Sequence, residues 1–280
     1  MKIQDLQSLY AHLPQVSALA KLVGDKSVKT ISLDGLLASS APLAFSALAL
    51  KSSARMLFIL QDAEEAGYFY HDLCQVMGDK QVLFFPSSYK RAIKYGQKDP
   101  ASEILRTEVL SSVGSNLKPQ TSNLYIVTYP EALAEMVVTR KQLDARRLTL
   151  EQQQTISVDA ICKTLREFVF REVDYVYEPG QFALRGSILD VYSYSHEFPF
   201  RLVFFGDEID SIRTFEVENQ LSKERCDHVD IVPELTAVEE KESILKFLPE
   251  DTLLVTKDLQ FVRESIERTY QEGFSQQAMQ

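Results

Sequence analysis

Several absences narrow the possibilities before any motif is read. The chain has three cysteines in 280 residues, Cys74, Cys162 and Cys226, far apart and without a CxxC pair. Neither a disulfide framework nor a zinc site is indicated, and the thiols are expected to be reduced. No uninterrupted apolar run approaches the roughly 18 residues that a membrane helix needs. The amino terminus, MKIQDLQSLYAHLPQV, lacks the basic-then-apolar order of a signal peptide, so a cytoplasmic chain is expected. Basic residues are in deficit: 30 Lys and Arg against 40 Asp and Glu give a formal charge of −10. Such a chain repels polyanions on average, and nucleic-acid binding would need a local basic patch. Ten glycines and ten prolines are too few for a long flexible linker, and no internal repeat is present.

What remains is an ordinary globular composition, 45% hydrophobic and 25% charged, long enough for two or three compact units. IQDLQSLYAHLPQVSALAKLV has helical spacing, interrupted at Pro14. The apolar runs VKTISL, RMLFIL, QVLFF and LYIVTY read as buried strands, being continuous rather than alternating. Between them lie the helix-like APLAFSALALK, DAEEAGYFYHDLCQVM and DPASEILRTEVLSSV, the last with Asp99 as cap and Pro100 at its first position. This alternation predicts an α/β domain over residues 1–132, a parallel sheet covered by helices.

Beyond Pro130 the pattern changes. SVDAICKTLREFVF predicts one amphipathic helix with Ser157 as cap, and REVDYVYEPG through RTFEV gives short β-rich runs separated by turn signals. A smaller α+β domain, with an antiparallel meander and one helix on it, is expected over 133–220. Residues 221–280, with the strand-like DTLLVT and the helix-like DLQFVRESIERTY, are expected to return to the first domain.

The stretch SLDGLLASSAPLAF invites comparison with a phosphate-binding loop, G-x-x-x-x-G-K-[ST]. With Gly35 as first glycine, Ser40 stands where the second belongs, Ala41 where the lysine belongs and Pro42 where the hydroxyl belongs. The strand-loop-helix frame is expected to persist while the phosphate charge goes uncompensated, so no cofactor is expected. Asp207, Glu208 and Asp210 could be read as a metal or acid-base cluster, but GDE reads better as a turn. His71, His196 and His228 lack spaced partners, and the plentiful Tyr and Phe sit mostly in apolar runs that suit a core.

EPGQFALRGSILDVYSYSHEFPFRLVFFGDEIDSIRTFEVENQLS resembles the module shared by the excision-repair protein UvrB and the transcription-repair coupling factors. Their pattern is G-x-F/Y-x-x-R-G-x-[IL]-[IL]-D-[IL]-F followed by FF-G/D-DEI-[DE]-S-[IL]-R. The loss of the phosphate-loop lysine, and FFPSSYKRAIKYGQKDPASEILR being too short for UvrB's DNA-probing hairpin, resemble the coupling-factor branch. In that branch the fold would be a degenerate phosphate-loop α/β domain with an inserted α+β domain, like UvrB domains 1a, 2 and 1b. The chain would be an excised amino-terminal fragment without enzymatic activity. RNA polymerase and DNA would be bound by regions beyond it.

The resemblance further implies that the β-rich domain docks UvrA, with Arg171 and Arg185 at family arginine positions and Ala183 where UvrB has one more. Pairing of either arginine with a local acid such as Glu172 or Glu178 is the alternative. Read as one continuous strand, FALRGSILDVY puts Phe182, Leu184, Gly186, Ile188 and Asp190 on one face and Arg185 with Leu189 and Val191 on the other. Replacing both arginines is expected to weaken docking with little effect on melting temperature. The rival readings are an ATP-binding UvrB-like repair protein and a DNA-binding module.

Overall fold

A computed structural model describes residues 3–78, 81–89, 99–114, 124–235 and 238–274. The described residues within Met1–Ser87, Ser115–Glu135 and Ser243–Gln280 form one compact unit, and those within Ser88–Gly114 and Met136–Glu242 form the other. Among the described residues no helix is long and apolar enough to cross a membrane.

The first unit is built on a four-stranded parallel sheet in the order Leu253–Thr256, Met56–Ile59, Tyr125–Thr128, Val82–Phe84. The two central strands are buried at every position, as their unbroken apolar runs demand. Helices Ser40–Ala49 and Ala63–Met77 pack on each other. Phe58 joins sheet to helix, its ring 4.9 Å from Phe45 and 5.3 Å from Tyr125. Asp62 starts the second helix by accepting from the backbone of Glu64 and Glu65, both at 2.9 Å. Asp258 does the same for Leu259–Thr269. Pro14 opens a new helix, Pro14–Gly24, after Ile3–Ala11 has ended, so the interruption falls where proline forces it.

One expected strand is absent. VKTISL is irregular, and among the described residues no strand pairs with it. Lys29, Thr30, Ser32 and Leu33 all face solvent, and Ile31 is only half-buried, so the run lacks the two dry faces that a central parallel strand requires.

The second unit holds a six-stranded sheet in the order Ser222–Cys226, Glu208–Phe215, Phe200–Phe205, Ile188–Val191, Gln181–Arg185, Arg171–Glu172. It is antiparallel except for the final pair. Helix Val158–Glu167 lays Ile161 and Leu165 into a core with Phe182, Leu189, Leu202, Ile209 and Ile212. Ser157 stands at the helix start, but its side chain accepts no helix N–H, so it is a cap by position only.

The β-rich unit runs past residue 220. Ser222–Cys226 pairs with Glu208–Phe215, and His228–Ile231 pairs with Leu148–Glu151, sending Val229 and Ile231 into the same core. The return to the first unit therefore falls at Ser243 rather than 221. Helix Pro100–Gly114 begins where expected yet belongs to this second unit, packing on Arg140–Ala145. The stretch FFPSSYKRAIKYGQKDPASEILR, expected to be too short for a DNA-probing hairpin, includes residues 90–98, which lie outside the described residues.

Helix Val158–Glu167 ends in a strained turn. Val169 N–H donates to Arg166 O (3.0 Å) and Phe170 N–H to Leu165 O (2.9 Å), a paired closure that needs a left-handed residue. Val169 supplies it at φ 65°, while the residue is 86% exposed. A β-branched residue there costs about 1–2 kcal/mol that no packing returns. Val169→Gly is expected to raise unfolding stability by about 1 kcal/mol in urea titration; a lower midpoint would show that the turn is not strained.

Candidate docking surface

The chain turns sharply between Gln181–Arg185 and Ile188–Val191, with Gly186 at φ 60°. The hairpin resets the alternation that a single strand would have shown. Phe182 opposes Val191 and Leu184 opposes Leu189, and these four face the core; Ala183 opposes Asp190 and Arg185 opposes Ile188 on the outer face. Asp190 thus shares a face with Arg185, opposite to the assignment made for one continuous strand.

Arg171 reaches the same face. It pairs in parallel register with Gln181, and both side chains meet Glu178: Arg171 Nη2 at 3.4 Å and Gln181 Nε2 at 3.2 Å. Four residues along the adjacent strand separate Gln181 from Arg185, so the arginines stand roughly 13 Å apart. Their settings differ. Arg171, with a side chain 67% exposed, makes a surface ion pair that constrains it weakly.

Arg185 is 33% exposed and fixed. It donates to Asp174 O at 2.8 Å and to Asp190, and lies 4.9 Å from the Tyr175 ring. Asp190 has no exposed side-chain surface. Its other contacts come from Arg201, Nε to Oδ1 at 2.7 Å and Nη2 to Oδ2 at 2.8 Å, and these bonds raise the Arg201 pKa. Arg201 also lies 4.5 Å from the Phe215 ring. One buried carboxylate therefore holds two guanidiniums, so replacing Arg185 is expected to cost some stability, where the sequence alone led to a nearly unchanged melting temperature. Asp190 and Arg201 were missed in the sequence, although an aspartate in an otherwise apolar strand signals a buried partner.

The other candidate residues fall elsewhere. Gly35 adopts φ 81° with open space around it, and no strand leads into it. Ser40 is the first residue of its helix, and its hydroxyl is engaged with Leu37, accepting from N–H at 2.7 Å and donating to O at 2.6 Å. Ala41 is half-buried and Pro42 buried in the first turn. Asp207 and Glu208 lie at the turn that joins Phe200–Phe205 to Glu208–Phe215, with Gly206 at φ 62°. Tyr175 and Tyr177 are exposed on the loop beside the arginines rather than buried.

His196 is half-buried and packs against Phe200, ring centroids 4.8 Å apart, and loss of solvent around the ring pushes its pKa down to about 4. Glu108 is pushed up to about 7 by burial and by the charge of Glu197. Below the ordinary histidine value of 6.5 the unfolded chain takes a proton that native His196 refuses, so stability falls as pH falls toward 4. Between 4.5 and 7 native Glu108 keeps a proton that the unfolded chain has released, so stability falls as pH rises. Each slope is at most about 1.4 kcal/mol per pH unit, and they oppose. Urea midpoints should vary little between about pH 4.5 and 6.5 in the wild type, fall with decreasing pH in Glu108→Gln, and fall with increasing pH in His196→Phe. Parallel profiles for all three would refute the opposition.

The UvrB interaction domain family matches residues 148–236, which include both arginines and Asp190. The chain is similar to the transcription-repair-coupling factor of Escherichia coli (strain K12), 30% identical over 165 residues, 58% of this chain and 14% of that protein. It is similar to that of Bacillus subtilis (strain 168), 26% over 208 residues, 74% of this chain and 17% of the relative. For Staphylococcus aureus (strain bovine RF122 / ET3-1) the figures are 27% over 181 residues, 65% and 15%. The chain thus matches only 14–17% of the length of these relatives.

Proposed function

Because the chain is a UvrB-homology module of the kind carried by transcription-repair coupling factors, we propose that it is a non-catalytic docking module that recruits UvrA to stalled transcription complexes for nucleotide excision repair. The observation that carries this reading is the placement of Arg171 and Arg185 on one outer sheet face, inside the matched residues. One is exposed and held only by a surface ion pair, so it is available to a partner carboxylate; the other is preset by Asp190 and flanked by Tyr175. Arginine beside tyrosine is the composition favoured at binding hot spots, and a preset guanidinium loses little entropy on docking.

The first unit, together with the return segment, serves in this reading as the scaffold corresponding to UvrB domain 1. Its phosphate loop has lost function, since the Ser40 hydroxyl turns back on Leu37 and Ala41 offers no charge. RNA polymerase and DNA would be engaged by parts of the longer protein outside this chain, acting in the cytoplasm. Capture of purified UvrA by the immobilised chain tests the proposal; failure of UvrA to bind the folded chain would reject it.

A further inference from the structure

The outer face of the six-stranded sheet carries a second basic feature that the linear sequence hides. Cross-strand register sets Asp190 opposite Arg201, Arg201 opposite Arg213, and Arg213 opposite Arg225. Adjacent strands lie about 4.8 Å apart, so one carboxylate and three guanidinium-bearing residues form a single row across four strands. The acid is already committed, both oxygens to Arg201 and one also to Arg185. Glu216, further along the strand chain from Arg213, pairs with Lys223 at 2.9 Å.

Arg213 and Arg225 have no side-chain hydrogen bond or ion pair among the described residues, and Arg213 Nε is buried without an acceptor. Like charges directly opposite each other on a sheet are destabilising, and a buried donor without a partner adds to the cost. Neither residue contributes to the hydrophobic core. Phe205, on the same face by alternation from Arg201 but four residues along the strand and opposite Glu208, is exposed to solvent.

We propose that Arg213 and Arg225, next to Arg201, form a docking point for a carboxylate-bearing segment of a protein partner, separate from the Arg171 and Arg185 point on the same face. The inference rests on the docking reading above and names the chemistry of a further contact. Guanidinium forks match carboxylates in bidentate geometry. A short acidic segment brings few charges toward a chain of net charge −10, whereas a long polyanion meets the repulsion of the whole molecule.

The test measures UvrA affinity for the whole chain at low and at physiological salt. Arg213→Gln combined with Arg225→Gln is expected to bind about tenfold more weakly at low salt, with a flatter salt dependence. Its melting temperature should equal or exceed that of the wild type, because two opposed cations are gone. Arg213→Lys with Arg225→Lys keeps the charge without the fork and should recover part of the salt dependence. Wild-type affinity and salt dependence in the folded Gln variant, with binding weakened by Arg171→Ala, would overturn this inference alone. No binding by the wild-type chain would overturn it together with the docking reading. Duplex DNA that binds the wild type and is released by the Gln pair would overturn the assignment to carboxylate.

Discussion

Asp190→Ala is expected to destabilise the β-rich unit by about 3–5 kcal/mol, the scale for removing one partner from a buried ionic cluster. The wild-type carboxylate has no exposed surface and satisfies Arg201 through two bonds and Arg185 through a third. Alanine leaves both guanidiniums facing each other with Arg213 next in the row and no acid between them. Asp190→Asn keeps the shape and one acceptor oxygen, so its cost should be smaller while remaining well above that of a surface change. Urea unfolding followed by tyrosine fluorescence measures both. A midpoint unchanged in Asp190→Ala would mean that the cluster does not hold the outer face, and that Arg185 is not preset.

Much of this architecture is legible in one dimension. Central strands of the parallel sheet announce themselves as dry runs, MLFI and YIVT, because both faces are covered. VKTISL has similar letters and fails, because Lys29, Thr30 and Leu33 end up in solvent; apolar content alone does not say whether a run has neighbours. Pairing is the missing quantity. The same lack of pairing information moved the boundary to 243: DIVPEL is apolar enough for either unit, and only its ladder with Leu148–Glu151 decides between them. At the proposed docking face the two arginines are visible from the family pattern, yet their surroundings are not. A two-residue turn after Arg185 reverses the face of everything beyond it, so Asp190 lands beside Arg185 instead of behind it. The Arg201, Arg213 and Arg225 row is likewise invisible, since residues twelve apart become neighbours only through strand register.

Arg171→Ala combined with Arg185→Ala is expected to reduce UvrA affinity by about 2–6 kcal/mol, taking 1–3 kcal/mol for each hot-spot arginine. That corresponds to a loss of roughly thirtyfold at the least. With about 13 Å between them and no shared acid, the two effects should be close to additive. Their stability effects should differ. Arg171→Ala removes only an exposed pair with Glu178 and should leave the melting temperature almost unchanged. Arg185→Ala takes one of two cations from Asp190, but Arg201 still bonds both carboxylate oxygens, so a moderate loss of about 1–2 kcal/mol is expected. Calorimetric titration with UvrA should therefore be run well below the melting temperature of the double variant. Arg185→Lys separates the two roles: it keeps a charge near Asp190 and most of the stability, yet cannot make a fork to a partner carboxylate. Undiminished binding by the folded double variant would remove the arginine face from the docking surface, even if UvrA still binds elsewhere on the chain.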